Sequence, residues 1–148
     1  MGSSTNNRRL LMINRLSVAT IWVKDHNEAL RFYTEKLGFE IRADFTNGDF
    51  RWLTVGLASQ PDIEFQLAAI KPSHALTQEE ADYLTKLVEA GKMGIGPWKT
   101  DDCQQTYEML SAKGVEFLQP PTDRSYGIIE AIFKDNSGNI MVLSQDKA

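Results

Sequence analysis

Apolar and polar positions along this 148-residue chain follow two periods, and the periods mark the elements. Arg15–Val23, RLSVATIWV, is dense in β-branched and aromatic residues and reads as a buried strand. Asp25 then caps a helix, HNEALRFYTEKLG, in which Ala29, Leu30, Phe32, Tyr33 and Leu37 recur at helical spacing and Gly38 ends the run. Three strands follow: FEIRADF, FRWLTVGL and DIEFQLAAI. The first two are joined by TNGD, whose Asn47-Gly48 pair is a hairpin signal. KPSH links to a second helix that opens on a capping-box pattern, Thr77 with Glu80, and ends at Gly91. The order then starts again. MGIGPWKT reads as a strand, Asp102 as a cap, CQQTYEMLSAKG as a helix, and VEFLQ, GIIEAIFK and NIMVLSQ as strands.

The two halves are one unit used twice. Asp25 is matched by Asp102 and Gly38 by Gly114, offsets of 77 and 76 residues, and GFEI is echoed by GVEF. Each half reads β-α-β-β-β, so the fold class is α+β. A lone half would leave one apolar sheet face uncovered, so the pattern predicts two modules packed side by side and curved around a shared space. Residues 1–13 read as a loose arm, with Met12 an alternative start. A single domain spans 14–146, with the first module at about 14–71, the linker and its helix at about 72–91, and the second module at about 92–146.

Charge and composition narrow the function. With 16 basic and 20 acidic residues the net charge is −4, and no Lys/Arg cluster appears, which argues against a nucleic-acid partner or an anionic membrane surface. No apolar run nears the roughly 18–20 residues of a membrane-spanning helix. The single cysteine, Cys103, excludes an intrachain disulfide and fits a reducing, cytoplasmic setting.

VKDHNEALRFYTEKLGFE in the first half, with TDDCQQTYEMLSAKGVEF and FKDNSGNIMVL in the second, resembles the vicinal oxygen chelate superfamily of glyoxalases, bleomycin resistance proteins and extradiol dioxygenases. The resemblance covers roughly residues 13–145. It implies tandem βαβββ modules forming a half-open mixed β barrel, and a homodimer. Metal-dependent members take ligands from the first and last strand of each module. The resemblance places Val18, Ile95 and Val142 at three of those positions, with Glu64 and Gln66 near the fourth. Valine and isoleucine have no lone pair to give a cation, and divalent metals need about three protein ligands. No cofactor is therefore expected, and a divalent metal is disfavoured.

Strand parity selects the side chains that face the cavity. Ala19, Ile21 and Val23 pack under the helix, leaving Val18, Thr20 and Trp22 on the other face; Trp52, Thr54, Glu64 and Gln66 follow by the same rule, as do Ile128, Glu130 and Ile132. Trp22 and Trp52 suit stacking on a flat ligand or, equally, plain barrel filling. Gln66 suits orienting a ligand or a satisfied structural amide. Glu64 and Glu130 are candidate general bases if buried, surface or paired carboxylates otherwise. Tyr126, after Pro120-Pro121, is a candidate rim contact. His26 reads as part of the helix cap, and His74 as a linker residue. Cys103 reads as a poor nucleophile, with Asp101 and Asp102 opposing thiolate formation.

The leading expectation is a small-molecule-binding protein without the usual metal site, held by Thr20, Trp22, Trp52, Thr54, Gln66 and Tyr126. The alternative is a glyoxalase- or dioxygenase-like enzyme, a lyase, isomerase or ring-cleaving catalyst, using unconventional metal ligands or carboxylate acid/base chemistry at Glu64 or Glu130.

Overall fold

The computed structural model describes residues 11–148; the first ten residues of the expected arm lie outside them. Each module lays its strands in one order. Strands β1 (Val18–Val23), β2 (Glu40–Asn47), β3 (Phe50–Gly56) and β4 (Glu64–Ala69) form the first sheet, ordered β1-β4-β3-β2. Strands β5 (Trp98–Lys99), β6 (Phe117–Asp123), β7 (Ile128–Lys134) and β8 (Ile140–Asp146) form the second, ordered β5-β8-β7-β6. In both, the first and last strands pair in parallel and the others antiparallel. The parallel pair requires a crossover, and the helix supplies it.

Helix α1 (His26–Arg31) starts where the Asp25 carboxylate accepts the Glu28 N–H at 2.8 Å. The expected single α-helical run ends early. At Phe32–Lys36 the chain widens into a π turn, with Leu37 N–H donating to Phe32 O. Helix α2 (Gln78–Glu89) carries the reciprocal Thr77–Glu80 capping box, and α3 (Cys103–Ala112) is capped by Asp102. The hairpin between β2 and β3 turns on Gly48-Asp49, one residue beyond the expected pair; Gly48 takes the positive φ, +62°, that a primed turn needs at its first position.

The parity assignment holds. Ile21, Val23, Leu53, Val55, Phe65 and Leu67 are buried on the helix side of the first sheet, and Ala131, Phe133, Met141 and Leu143 on that of the second. One continuous core joins them, with Trp98 packed on Phe39 and Phe65. A fully buried side chain of this size contributes about 1.5–3 kcal/mol by transfer from water. The sheets remain two four-stranded layers, and among the described residues they close no barrel.

The turn Asp135–Asn139 locks the modules together. Asp135 Oδ1 accepts the N–H groups of Ser137, Gly138 and Asn139. Its Oδ2 accepts from Tyr33 Oη on the first module at 2.8 Å and from Asn139 Nδ2 at 2.9 Å. Asn139 Nδ2 also donates to Trp22 O, and Lys24 N–H to Ser137 Oγ. Asp135, Ser137 and Asn139 are buried, while Asn136 is exposed. Burial, the Asp135 charge and the hydrogen bond to it push the Tyr33 phenol well above its ordinary range.

One expected strand is mostly absent. Only Trp98–Lys99 of MGIGPWKT pairs with β8; residues 92–97 form an irregular loop. Pro97 has no N–H to give a ladder, and Gly94 lies so close to β8 that an added Cβ would strike Ile140 O. Ile95 therefore sits on a loop rather than on a strand.

Candidate functional site

The faces turned away from the helices carry the candidate residues in cross-strand rows. On the first sheet, Trp22 lies opposite Ala68 and Phe45 opposite Trp52. Thr54 lies opposite Gln66, and continuing that register by two residues brings Trp52 beside Ala68. The row therefore reads Trp22, Ala68, Trp52, Phe45: a small floor between two half-buried indoles. Phe50 extends it, with its ring 6.4 Å from that of Trp52. The neighbouring row is polar. Thr20 Oγ1 donates to Gln66 Oε1 at 3.3 Å, with Thr54 beyond. In the next row stands Glu64, opposite Val18, and Thr54 Oγ1 donates to Glu64 Oε1 at 2.6 Å. Thr54 is fully buried, while Glu64 and Gln66 are half-buried.

The second sheet is aliphatic. A cavity of about 430 Å³ lies over Ile128, Ile140, Val142 and the buried Ser144, walled by the loop 91–97 with Ile95. No residue of the first module lines it. Glu130 reaches this cavity but is ion-paired. Arg124 Nε donates to its carboxylate at 3.0 Å, and Arg124 Nη2 to Gln119 Oε1 at 2.8 Å. That bracket comes from the strand before and from the turn, which the local sequence around Glu130 does not announce. Tyr126 is 66% exposed in that turn and lies outside the cavity lining.

The remaining candidates stand apart. His26 Nε2 accepts the Ala69 N–H at 3.3 Å, so its ring ties the helix start to β4. Burial first, then the Arg51 and Lys71 charges, lower its pKa below the ordinary 6.5. His74 lies with Lys71 and Phe50 around a crevice at the hairpin tip. Cys103 is buried, its N–H donating to Gln145 Oε1; burial, Asp102 and Glu130 push its thiol up, away from nucleophilic use.

Register sharpens the metal question. Trp98 pairs with Leu143 as its repeat counterpart Ile21 pairs with Leu67, so Val142 corresponds to Gln66 and Ile140 to Glu64. The four positions at which the resemblance implies ligands are then Val18, Gln66, Ile95 and Val142. Gln66 Oε1, the lone donor atom suited to a cation, is already engaged by Thr20. Among the described residues no three His, Cys, Asp or Glu side chains converge. This donor set does not fit a divalent ion.

Phe45, Phe50, Ala68, Ser144 and Arg124 were not singled out from sequence. Parity would have found Ala68 beside Gln66; the others needed the register of the partner strands.

Comparison with known proteins agrees with this architecture. A family model described as the Glyoxalase/Bleomycin resistance protein/Dioxygenase superfamily matches residues 15–143. The Bacillus subtilis (strain 168) protein YurT is 34% identical over 131 residues, 88% of this chain and 98% of its own. The crystal structure of UcmS2 superposes with a TM-score of 0.86 at 41% identity, covering 91% of this chain and all of that one. That of TnmS3, an antibiotic binding protein from Streptomyces sp. CB03234, superposes with a TM-score of 0.72 at 25% identity, covering 93% and 100%. Among the described residues no helix is long and apolar enough to cross a membrane. With its repeated module, its mixed sheets and a match over most of its length, the chain belongs to the Glyoxalase/Bleomycin resistance protein/Dioxygenase superfamily.

Proposed function

We propose that this chain binds a small, largely apolar and planar molecule without a divalent metal, using Trp22, Trp52, Thr20, Thr54 and Gln66 on one sheet. The observation that carries the reading is the donor set: two valines, an isoleucine and a hydrogen-bonded amide occupy the positions at which the resemblance implies metal ligands. An aromatic row with a small floor, beside a row of hydroxyls and an amide, has the composition of an organic-ligand site. The likeness to TnmS3, described as an antibiotic binding protein, supports the same reading.

A homodimer completes the site. The aromatic face of the first sheet is open, with Phe45 59% and Phe50 48% exposed, and the aliphatic cavity of the second draws nothing from it. A second copy that laid its second sheet over the first sheet of its partner would enclose both.

Acid/base catalysis at Glu130 is disfavoured by its Arg124 partner, which holds the carboxylate as a hydrogen-bond acceptor. The test is a panel of planar aromatic compounds titrated against tryptophan fluorescence, before and after treatment with EDTA. Binding should survive chelation and weaken in Trp22→Ala and Trp52→Ala. Binding that disappears with EDTA and returns with Zn²⁺ or Mg²⁺, or a panel with no binder, overturns the proposal.

A further inference from the structure

We infer that Glu64 is an ammonium anchor, so that the ligand of the first sheet is a planar compound carrying a protonated amine. The inference rests on the binding role proposed above. It starts from a charge the family's ligand pattern leaves without a job. Glu64 does not occupy the position equivalent to Val142; Gln66 does, and the counterpart of Glu64 in the second module is the apolar Ile140. At this pair of repeat positions a carboxylate is therefore kept on the first sheet alone, next to the polar row and half-buried.

Its surroundings prepare it to accept from a ligand. Thr54 is fully buried and donates to Oε1 at 2.6 Å, which fixes the carboxylate and leaves Oε2 free to accept. Among the described residues no Lys, Arg or His lies within ion-pair distance of it. Arg42 covers Gly56 at the same end of the sheet. Its charge is met by Glu40 at 2.9 Å, and its Nη atoms donate to the carbonyls of Pro61, Ile63 and Leu57. Glu130, the other candidate, already has its arginine. Glu64 thus remains the uncompensated charge of this face, and partly desolvated carboxylates are best satisfied by a cation that also donates hydrogen bonds.

Distance sets the shape of the ligand. Glu64, Gln66 and Ala68 point to the same face of β4, and four strand residues span about 13 Å. A flat ring over Ala68, between Trp22 and Trp52, therefore places an ammonium on Glu64 only if a spacer of roughly one ring and a short chain joins them. Gln66 lies midway. Its Oε1 is taken by Thr20, and its Nε2 has no acceptor among the described residues, so it is placed to donate to an ether, hydroxyl or carbonyl of the spacer.

The experiment uses the full chain and three matched probes: anthracene bearing a six-carbon chain ended by an ammonium, a hydroxyl or a carboxylate. Binding is read by tryptophan fluorescence at pH 7 and fixed ionic strength. The ammonium probe should bind about tenfold or more tightly than the hydroxyl probe, the scale of one charge-assisted hydrogen bond, and the carboxylate probe weakest. Glu64→Gln should bring the first two together without shifting the thermal midpoint enough to signal misfolding. Glu79→Gln, an exposed acid in the first turn of α2, should leave the preference intact. Equal binding of ammonium and hydroxyl probes to the unaltered protein overturns the anchor while leaving the binding role standing. A preference lost equally in both variants also overturns it, since the acidic protein as a whole would then be the attractor. If none of the three probes binds, the binding role falls with it.

Discussion

Tyr33→Phe removes one oxygen and no carbon, so it isolates one of the hydrogen bonds that join the modules. Tyr33 Oη donates to Asp135 Oδ2 at 2.8 Å, with both residues buried. After the change Asp135 keeps its three backbone donors on Oδ1 and Asn139 Nδ2 on Oδ2. It loses its hydrogen bond to the first module. A hydrogen bond to a charged group contributes about 1.5–3 kcal/mol, and the site is too enclosed for bulk water to replace the phenol. The ring's edge contacts with Phe32 and Phe39 remain, so no cavity term adds to this. The expected cost is about 1.5–3 kcal/mol. For a chain of this size that corresponds to a fall of roughly 3–12 °C in Tm. Urea unfolding followed by tryptophan fluorescence, at one protein concentration for both proteins, should show a lower midpoint with an unchanged slope. A change below about 0.5 kcal/mol would refute the view that Tyr33 and Asp135 hold the modules in register. So would a slope that falls while the midpoint holds.

Three further outcomes test other parts of the fold. Gly138→Ala places a Cβ 2.9 Å from Glu89 Cα and Val88 O at a φ of +110°; strain and overpacking together should cost about 2–5 kcal/mol in the same urea assay. Thr77→Ala removes the side-chain half of the α2 capping box and should cost about 1 kcal/mol, with the ligand affinity of the first sheet unchanged. The third concerns His26. Its folded pKa lies below 6.5, so the unfolded chain binds the proton more readily, and stability present above pH 6.5 is lost as pH falls through the folded value; the acid-side loss between pH 7.5 and 5 should shrink in His26→Gln.

The repeat and the strand parity were legible because each shows directly in the spacing of residue types. Period-two burial put Ile21 and Val23 inside and left Trp22 on the open face, and the structure agrees. What failed was decided elsewhere in the chain. Residues 92–97 read as a strand because the repeat aligned them with β1; Pro97 has no N–H to give, Gly96 turns the chain at a φ of +146°, and only Trp98–Lys99 pair with β8. Glu130 read as a possible base because its partner, Arg124, approaches from the β6–β7 turn. Glu64 and Gln66 could not be ranked until the register of β1 on β4 was compared with that of β5 on β8.

That comparison also exposes how far the two faces have separated in chemistry on one backbone plan. Counterpart for counterpart, Trp22 stands against Lys99, Gln66 against Val142, Glu64 against Ile140, and Ala68 against Ser144. A chelating site between the sheets would need donor atoms from both faces, about three in all. Here one face offers indoles, an amide and a carboxylate that accepts from Thr54, and the other offers aliphatic walls over a buried hydroxyl, with Glu130 already held by Arg124. Two unlike faces suit an object that is itself two-sided. On the binding role proposed above, a flat molecule stacked on the indoles, with its polar edge toward Gln66 and Glu64 and an apolar back, would use both, whereas a bare divalent ion would find too few donors on either.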